Sequence, residues 1–429
     1  MHFDESSILP PSSRSLESLH DVCQAVDQGT ARHEAEWIKL RRQMHCAPEP
    51  SGAEIETSRL ILQRLQVAGM KAHIPDRRVG VIADLVLGDA DEHSPVIALR
   101  ADIDALRMTD QKTVSYSSNR EGLAHTCGHD VHTTVVLAAA ELCAEIAGQV
   151  PKSSLPAVRL RFLFQAAEET CEGAAWMIED GALDGVKCIL GLHVEPAQPA
   201  GRIGVCYGVL TAQVDEVAIA IHGTGGHTAR PHNTTDPVAA AAMLICNLYQ
   251  ILPRTVDVRD ASVFTVGQIV GGTASNVIPD EVRIAGTLRT IDRESREKLL
   301  ERIRTTAQHI GQLTGNEVRV EFRKPLGSVR NDTSVTAAFE LAGRHVLGES
   351  GVVRLSRPSM GGEDFAVYLD HVPGAQIRLG CAGPTPDGES WPLLHSPVFD
   401  IDERAISLGI RILVRTALLL AAAGADPVK

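Results

Sequence analysis

Short apolar runs that alternate with helical stretches set the tightest limit on how this chain can fold. The runs "VGVIADLVLG" (79–88) and "PVIALRADID" (95–104) are bounded by turn residues and read as strands. In "AVRLRFLFQAAEE" (157–169), Val158, Leu160, Phe162 and Phe164 alternate onto one face, and "VKCILGLHV" (186–194) reads as a buried strand. Helical stretches separate them: one at about 130–147, rich in Ala, Val and Leu, and "EGAAWMIEDG" before the fourth run. Upstream, Glu34 to Gly69 reads as two helices parted by "CAPEPSG", with Gly69 as a stop. Such alternation predicts an α/β layer with largely parallel strands.

At 429 residues the chain exceeds one compact core, and its character changes near residue 212. "VDEVAIAIHG", "SVFTVGQIVGG", "DEVRIAGTLRT" and "EVRVEFRK" read as strands, "DPVAAAAMLICNLYQIL" and "DRESREKLLERIRTTAQHIGQLTG" as helices. Their order is βαββαβ, a self-contained ferredoxin-like unit. The α/β pattern resumes with "TSVTAAFELAGRHVLG" and a C-terminal helix capped by Asp402. The prediction is therefore a discontinuous domain, 1–212 and 326–429, with a lid or dimerisation domain inserted at 213–325.

A net charge of −13 with no Lys/Arg-rich run argues against nucleic acid and anionic membranes as partners. Nine cysteines without framework spacing suggest reduced thiols. The polar, acidic first 30 or so residues read as a tail or loosely attached helix rather than a signal peptide. No uninterrupted apolar run reaches spanning length, so the expected location is cytoplasmic.

In open parallel sheets, sites form beyond the carboxyl ends of strands. Here those ends deliver Asp102 and Asp104, Glu168 and Glu169, and His193. "AHTCGHDVHTT", at a helix start, adds His125, Cys127, His129, Asp130 and His132, and "PLLHSPVFD" adds His395. Singly, each has a plain structural reading: a satisfied histidine, a solvated glutamate pair, a small buried thiol. Cys-x-His alone is a weak signal for a structural zinc site, and no Cys-x₂₋₄-Cys block accompanies it. Convergence of N, S and O donors from distant segments on one side of a sheet points instead to metal-assisted hydrolysis. One glutamate of an adjacent pair can ligate metal while the other handles the proton of a water.

These motifs resemble the M20 metallopeptidase family, in particular its amidohydrolase branch of hippurate, auxin-conjugate and N-acyl-diaminopimelate hydrolases. The similar stretches are "ALRADIDAL", "HTCGHDVHTT", "FQAAEE", "GLHVEP", "GGHTARPHNTTDPV", "GGTASNVIPDEV", "GTLRT", "SMGGEDFA" and "LHSPVFDID", in family order over about 36–420. The resemblance implies a metallopeptidase-type catalytic domain with two divalent ions. Cys127 would bridge them, with His129, Glu169, His193 and His395 as the other ligands. Glu168 would be the general base, and Asp102 would orient a site group. His227 or His232 would stabilise the oxyanion, and Asn276 and Arg289 would bind the substrate carboxylate. By residues alone, Arg289 reads more simply as a surface arginine paired with Asp292. His125, Asp130 and His132 would be structural.

The donor set suits zinc and also accepts manganese, nickel or cobalt. The implied activity is removal of the acyl group from an N-acyl amino acid, by a homodimer formed through the inserted domain. A dipeptidase or carboxypeptidase is the alternative within the family, and a silent binding protein the alternative outside it. Ala166 stands where the family usually has proline, Arg107 follows Leu106 in place of proline, and Val131 replaces a frequent glycine. These departures bear on substrate preference and leave the ligand set intact.

Overall fold

The computed structural model describes residues 19–385 and 390–424, so the polar N-terminal stretch as far as residue 18 lies outside the described residues. The chain divides into two compact units. The first holds the described residues as far as Leu210, then Val329–Arg357, and the chain from Asp364 onward; the second holds Thr211–Ser328 and Pro358–Glu363. The short 358–363 segment lies in the second unit, although the sequence reading left it with the first.

In the first unit, helices α1 (His20–Cys46) and α2 (Ile55–Val67) precede strands β1 (Lys71–His73), β2 (Val81–Leu87) and β3 (Val96–Asp102). Then come α3 (His129–Gln149), β4 (Val158–Gln165), α4 (Gly173–Glu179), β5 (Val186–Pro199), β6 (Ile203–Val205) and β7 (Gly208–Val209). The second unit supplies β8 (Gln213–His222), β9 (Gly226–His227), α5 (Pro237–Ile251), β10 (Ser262–Gly271), β11 (Val277–Ile278), β12 (Glu281–Thr290), α6 (Arg293–Thr314) and β13 (Glu317–Leu326). The first unit resumes with β14 (Arg330–Asn331), α7 (Thr333–Leu347), β15 (Val352–Arg354), α8 (Phe365–Leu369), β16 (Gly374–Ala382) and α9 (Arg404–Ala422).

Eight strands of the first unit form one sheet in the order β1-β2-β4-β3-β5-β16-β6-β15. Its central pairings, β4 with β3, β3 with β5 and β5 with β16, are parallel. The β1–β2, β2–β4 and β6–β16 pairings are antiparallel, so the sheet is mixed rather than largely parallel. Strand β3 is buried along its whole length. Ile97, Leu99 and Ala101 join the larger core, while Val96 and Ala98 join a second core on the other face. Covering both faces with apolar side chains is what a central parallel strand requires.

Three differences from the sequence reading have local causes. Helix α1 begins at His20, well before Glu34, because a sparse stripe of buried Val22, Val26 and Thr30 anchors its polar first half. Helix α9 begins at Arg404 without a side-chain cap; Asp402 instead accepts Arg404 N at 3.0 Å and pairs with that guanidinium. Helices α3 and α9 are long and apolar enough to cross a membrane, but 72% and 78% of their apolar windows are buried in the fold, the habit of core helices.

In the second unit, β8, β10, β12 and β13 form an antiparallel sheet ordered β10-β12-β8-β13. Burial alternates along β8, with Val217, Ile219 and Ile221 inward, and α5 and α6 complete one core on that face. Element order and strand order together make the split βαβ topology.

Candidate metal centre

The centre lies in the first unit, where β3 and β4 end side by side with Asp102 opposite Gln165. Pairing of β5 with β3 stops at Gly191. His193 therefore sits just past that pairing, although β5 itself continues to Pro199. Helix α3 starts at His129, and Gly128 before it has φ +84°, with space so tight that a Cβ would lie 2.4 Å from Val194 Cγ2. A left-handed glycine is what lets the helix start this close to β5. The loop from Ala166 to Glu172 carries the glutamate pair, and Ala167 has φ +55°. His395, also left-handed at φ +60°, is tied in by its amide to Thr126 O at 2.8 Å.

These segments bring donors together in overlapping groups. Cys127, His129 and His193 offer ligand atoms within 4.8 Å of one another, and so do Cys127, Glu169 and His395, and His129, Glu168 and Glu169. Cys127 Sγ thus belongs to two groups, one on each side. It lies 3.5 Å from His193 Nε2. His129 Nε2 lies 3.8 Å from Glu168 Oε2 and 3.9 Å from Glu169 Oε1, and His395 Nε2 is 3.7 Å from the same Glu169 oxygen.

Hydrogen-bond bookkeeping separates potential ligands from scaffold. His193 Nδ1 is 2.8 Å from Val194 O, which can only accept, so the neutral ring keeps its lone pair on Nε2, toward Cys127. Asp104 Oδ1 takes His129 Nδ1 at 3.0 Å, leaving His129 Nε2 buried with no hydrogen-bond partner among the described residues. Buried Glu169 Oε1 is orphaned in the same way. His132 is different: Nε2 accepts Val194 N at 2.9 Å and Nδ1 donates to Asp102 Oδ1 at 2.6 Å, so no lone pair remains. Orphaned buried N and O atoms that converge beside a buried thiol fit a divalent cation better than a dry core.

Electrostatics agree with that division. Burial pushes the Cys127 thiol well above its ordinary value, and a neighbouring cation is the usual means of making such a thiol a thiolate. Burial also raises the Glu169 carboxyl. Burial works against charge on His129, but Asp102, Cys127 and Asp104 lift its pKa well above that of a free imidazole. His193 goes the opposite way, lowered by burial and by His132 and Arg378. Burial also disfavours charge on Asp102, yet His129, His132 and Arg100 hold its carboxyl well below the usual range.

The two aspartates therefore share the orienting work differently from the sequence expectation. Asp104 holds His129, whereas Asp102 holds His132 and accepts Arg100 Nη1 at 2.6 Å. The sequence reading missed what stands behind Asp102: Arg100 Nη2 donates to Asp364 Oδ1 at 2.8 Å, and Gln165 Nε2 bonds the same carboxylate. An arginine in a wholly buried strand was the available signal. Asp130 faces away from the donors, accepting Arg41 Nε and His45 Nδ1 at 2.7 Å each. His125 is buried, with its pKa lowered to about 4 by burial.

The remaining candidates belong to the second unit. His227 is exposed and pairs with Val277 across β9 and β11; its Nδ1 accepts Ala229 N at 3.0 Å. His232 is exposed. Asn276 O accepts Thr228 N, which places that exposed asparagine beside the His227 segment. Arg289 is half-buried and donates Nη1 to Met360 O at 2.8 Å. It is not paired with Asp292, whose side chain instead caps α6 through Ser295 N. Asn276 precedes the start of β12 and Arg289 stands near its end, ~27 Å by strand rise from the end that Asn276 precedes.

Comparisons with known proteins agree on one relationship. Residues 98–419 match the model of peptidase family M20/M25/M40. The N-acetylcysteine deacetylase of Bacillus subtilis is 37% identical over 389 residues, covering 89% of this chain and 96% of that protein. The N-acetyldiaminopimelate deacetylase of Leuconostoc mesenteroides is 34% identical over 381 residues, covering 87% and 94%. Among solved structures, the Bacillus subtilis YXEP protein, described as a dinuclear metal binding peptidase of the M20 family, superposes with a TM-score of 0.77 at 32% identity, covering 91% of this chain and 99% of that one.

Proposed function

The chain belongs to peptidase family M20/M25/M40, and so to the hydrolases of amide C–N bonds, and we propose that its substrate is an N-acyl amino acid, cleaved to an acid and a free amino acid. The observation that carries this reading is Cys127 Sγ standing in two donor groups at once, with Glu168 beside them at His129 Nε2. Cys127 would be shared between two divalent ions, with His129, Glu169, His193 and His395 completing the set. Thiolate, imidazole and carboxylate together suit zinc. When bound, such ions supply Lewis acidity that polarises the amide carbonyl and brings the pKa of water to about 7.

The protein's own residues do the rest. Glu168 takes the proton of the attacking water and returns it to the departing amine, the ordinary work of one carboxylate shuttling between base and acid. Asp104 holds the His129 ring by Nδ1, which leaves Nε2 available to hold a metal, and Asp102 holds His132 as scaffold. Arg289 grips the substrate carboxylate, helped by Asn276, and His227 or His232 steadies the oxyanion. Because Asn276 and Arg289 lie at opposite ends of β12, both serve one carboxylate only if a second copy contributes one of them. That geometry favours a homodimer through the second unit. Its net charge of −13 supports small-molecule partners over nucleic acid or an anionic membrane, and we propose a cytoplasmic location.

The test is a hydrolysis screen of N-acetyl, N-benzoyl and N-indoleacetyl amino acids by metal-stripped protein reloaded with zinc, manganese, nickel or cobalt. Release of the amino acid at two bound ions per chain is expected. Preference for substrates with a free α-amino group favours a dipeptidase instead, and two bound ions without amide cleavage of any substrate refutes the reading.

A further inference from the structure

The turn between α1 and α2 reaches into the loop that carries the glutamate pair. Ser51 Oγ donates to Asp104 Oδ2 at 2.6 Å, and the same oxygen accepts Glu169 N at 3.0 Å. Three residues on, Glu54 is fully buried. Its Oε1 accepts Ala167 N at 2.8 Å and Gly52 N at 3.0 Å, while Oε2 is buried with no partner among the described residues. Glu168 is thus flanked by two backbone amides, 167 and 169, each held by a buried carboxylate.

A glutamate at a helix start ordinarily serves the helix. Here Glu54 occupies the cap position of α2 without making a side-chain cap; Glu49 takes that role, accepting Thr57 N at 2.8 Å and Thr57 Oγ1 at 2.9 Å. The Glu54 side chain is spent on the active loop instead. Ala167 has φ +55°, and a residue with a Cβ stays in that left-handed region only when its surroundings over-determine it. A backbone amide bonded to an oxygen of a fully buried side chain does so, because breaking the bond would leave both groups unsatisfied.

We propose that Glu54 is a positioning residue: it clamps the left-handed turn at Ala167 and so fixes the directions in which Glu168 and Glu169 leave β4, one toward proton transfer and the other toward metal. The proposal rests on the roles assigned above to that pair. It also explains why a fully buried acid sits behind the loop without offering an oxygen to any of the donor groups.

The experiment compares E54A, E54Q, A167G and the double variant E54A/A167G with wild type. Each is measured for kcat and KM on an N-acetyl amino acid, for metal content, and for hydrogen exchange in the peptide carrying Ala167. E54A should lose about tenfold or more in kcat, the scale of a misplaced catalytic group, with KM little changed, both ions retained and faster exchange at the loop. E54Q should stay close to wild type, because its amide oxygen still accepts both N–H groups. A167G should recover part of the E54A loss, since glycine adopts the turn without a clamp. A folded E54A with wild-type kcat and exchange overturns the proposal, and so does a double variant no better than E54A. If E54A does not fold, a folded, metal-replete E54Q that loses tenfold overturns it, while a near-normal E54Q upholds it. Failure of the wild type to cleave any N-acyl amino acid counts against the proposed function instead, and the exchange measurement still reads the clamp.

Discussion

Glu54 also makes a quantitative demand on stability. Burial lifts its carboxyl from 4.5 to about 7, aided by nearby Asp104 and opposed by the Ala167 and Gly52 amides. Between those values the folded protein holds a proton that the unfolded chain has released. Stability therefore falls as pH rises: the contribution is whole below 4.5 and gone once pH has passed about 7. At about 1.4 kcal/mol for each pH unit between the two values, ionising Glu54 in the fold costs about 3 kcal/mol. Glutamine keeps the acceptor for both amides and cannot ionise, so E54Q should lack this slope. The assay is urea unfolding of wild type and E54Q, metal-free in chelator, because protonation of the metal ligands would otherwise add its own pH dependence. From about pH 5 to pH 8 the stability of E54Q relative to wild type should rise by about 2.5 kcal/mol. Parallel curves across that range would falsify the reasoning, because they would mean that Glu54 does not change its charge in the fold there.

Four further outcomes follow from the centre and the second unit. Glu168→Gln should lower turnover by ~10²–10⁴-fold with metal content unchanged, as read by steady-state rates and elemental analysis; loss of the ions would return Glu168 to the ligand set. Cys127→Ala should reduce bound metal and thermal stability together, whereas a thiol that merely fills the core predicts full metal content. Gly128→Ala should destabilise the fold by roughly 1–3 kcal/mol in urea unfolding, since its Cβ meets Val194 Cγ2 and φ +84° is left-handed; wild-type stability would mean α3 can shift. Arg289→Ala should cut kcat/KM by roughly 10²-fold, matched in wild type by amidating the substrate carboxylate. Coexpressing R289A with N276A chains should then restore some activity if the two residues come from different copies, and none if they come from one.

Much of the sheet was legible because its strands announce themselves locally: β3, β4 and the start of β5 are apolar runs bounded by turn residues. Strand β16 was not, although it lies between β5 and β6. Its stretch Gly374–Ala382 carries Gln376 and Arg378, which break an apolar pattern. What fixes this strand is non-local: Asn331 bonds the Gln376 backbone on both sides, accepting its N at Oδ1 at 2.9 Å and donating Nδ2 to its O at 2.9 Å. A partner 45 residues distant leaves no mark in a local window. The same distinction runs through the centre. Cys127, His129, Glu169, His193 and His395 declare themselves by residue type, whereas the roles of their neighbours depend on where each lone pair goes. Asp102 and Asp104 leave the same strand two residues apart, and only the placement of α3 decides that the second meets His129 and the first meets His132. His132 looks like a ligand in sequence and is excluded by two hydrogen bonds that use both of its nitrogens. Glu54 looks like an ordinary helix-start acid and is distinguished by a bond to an amide 113 residues away. Sequence motifs thus identify the atoms able to bind a metal, while burial and hydrogen-bond accounting decide which of them are free to do so.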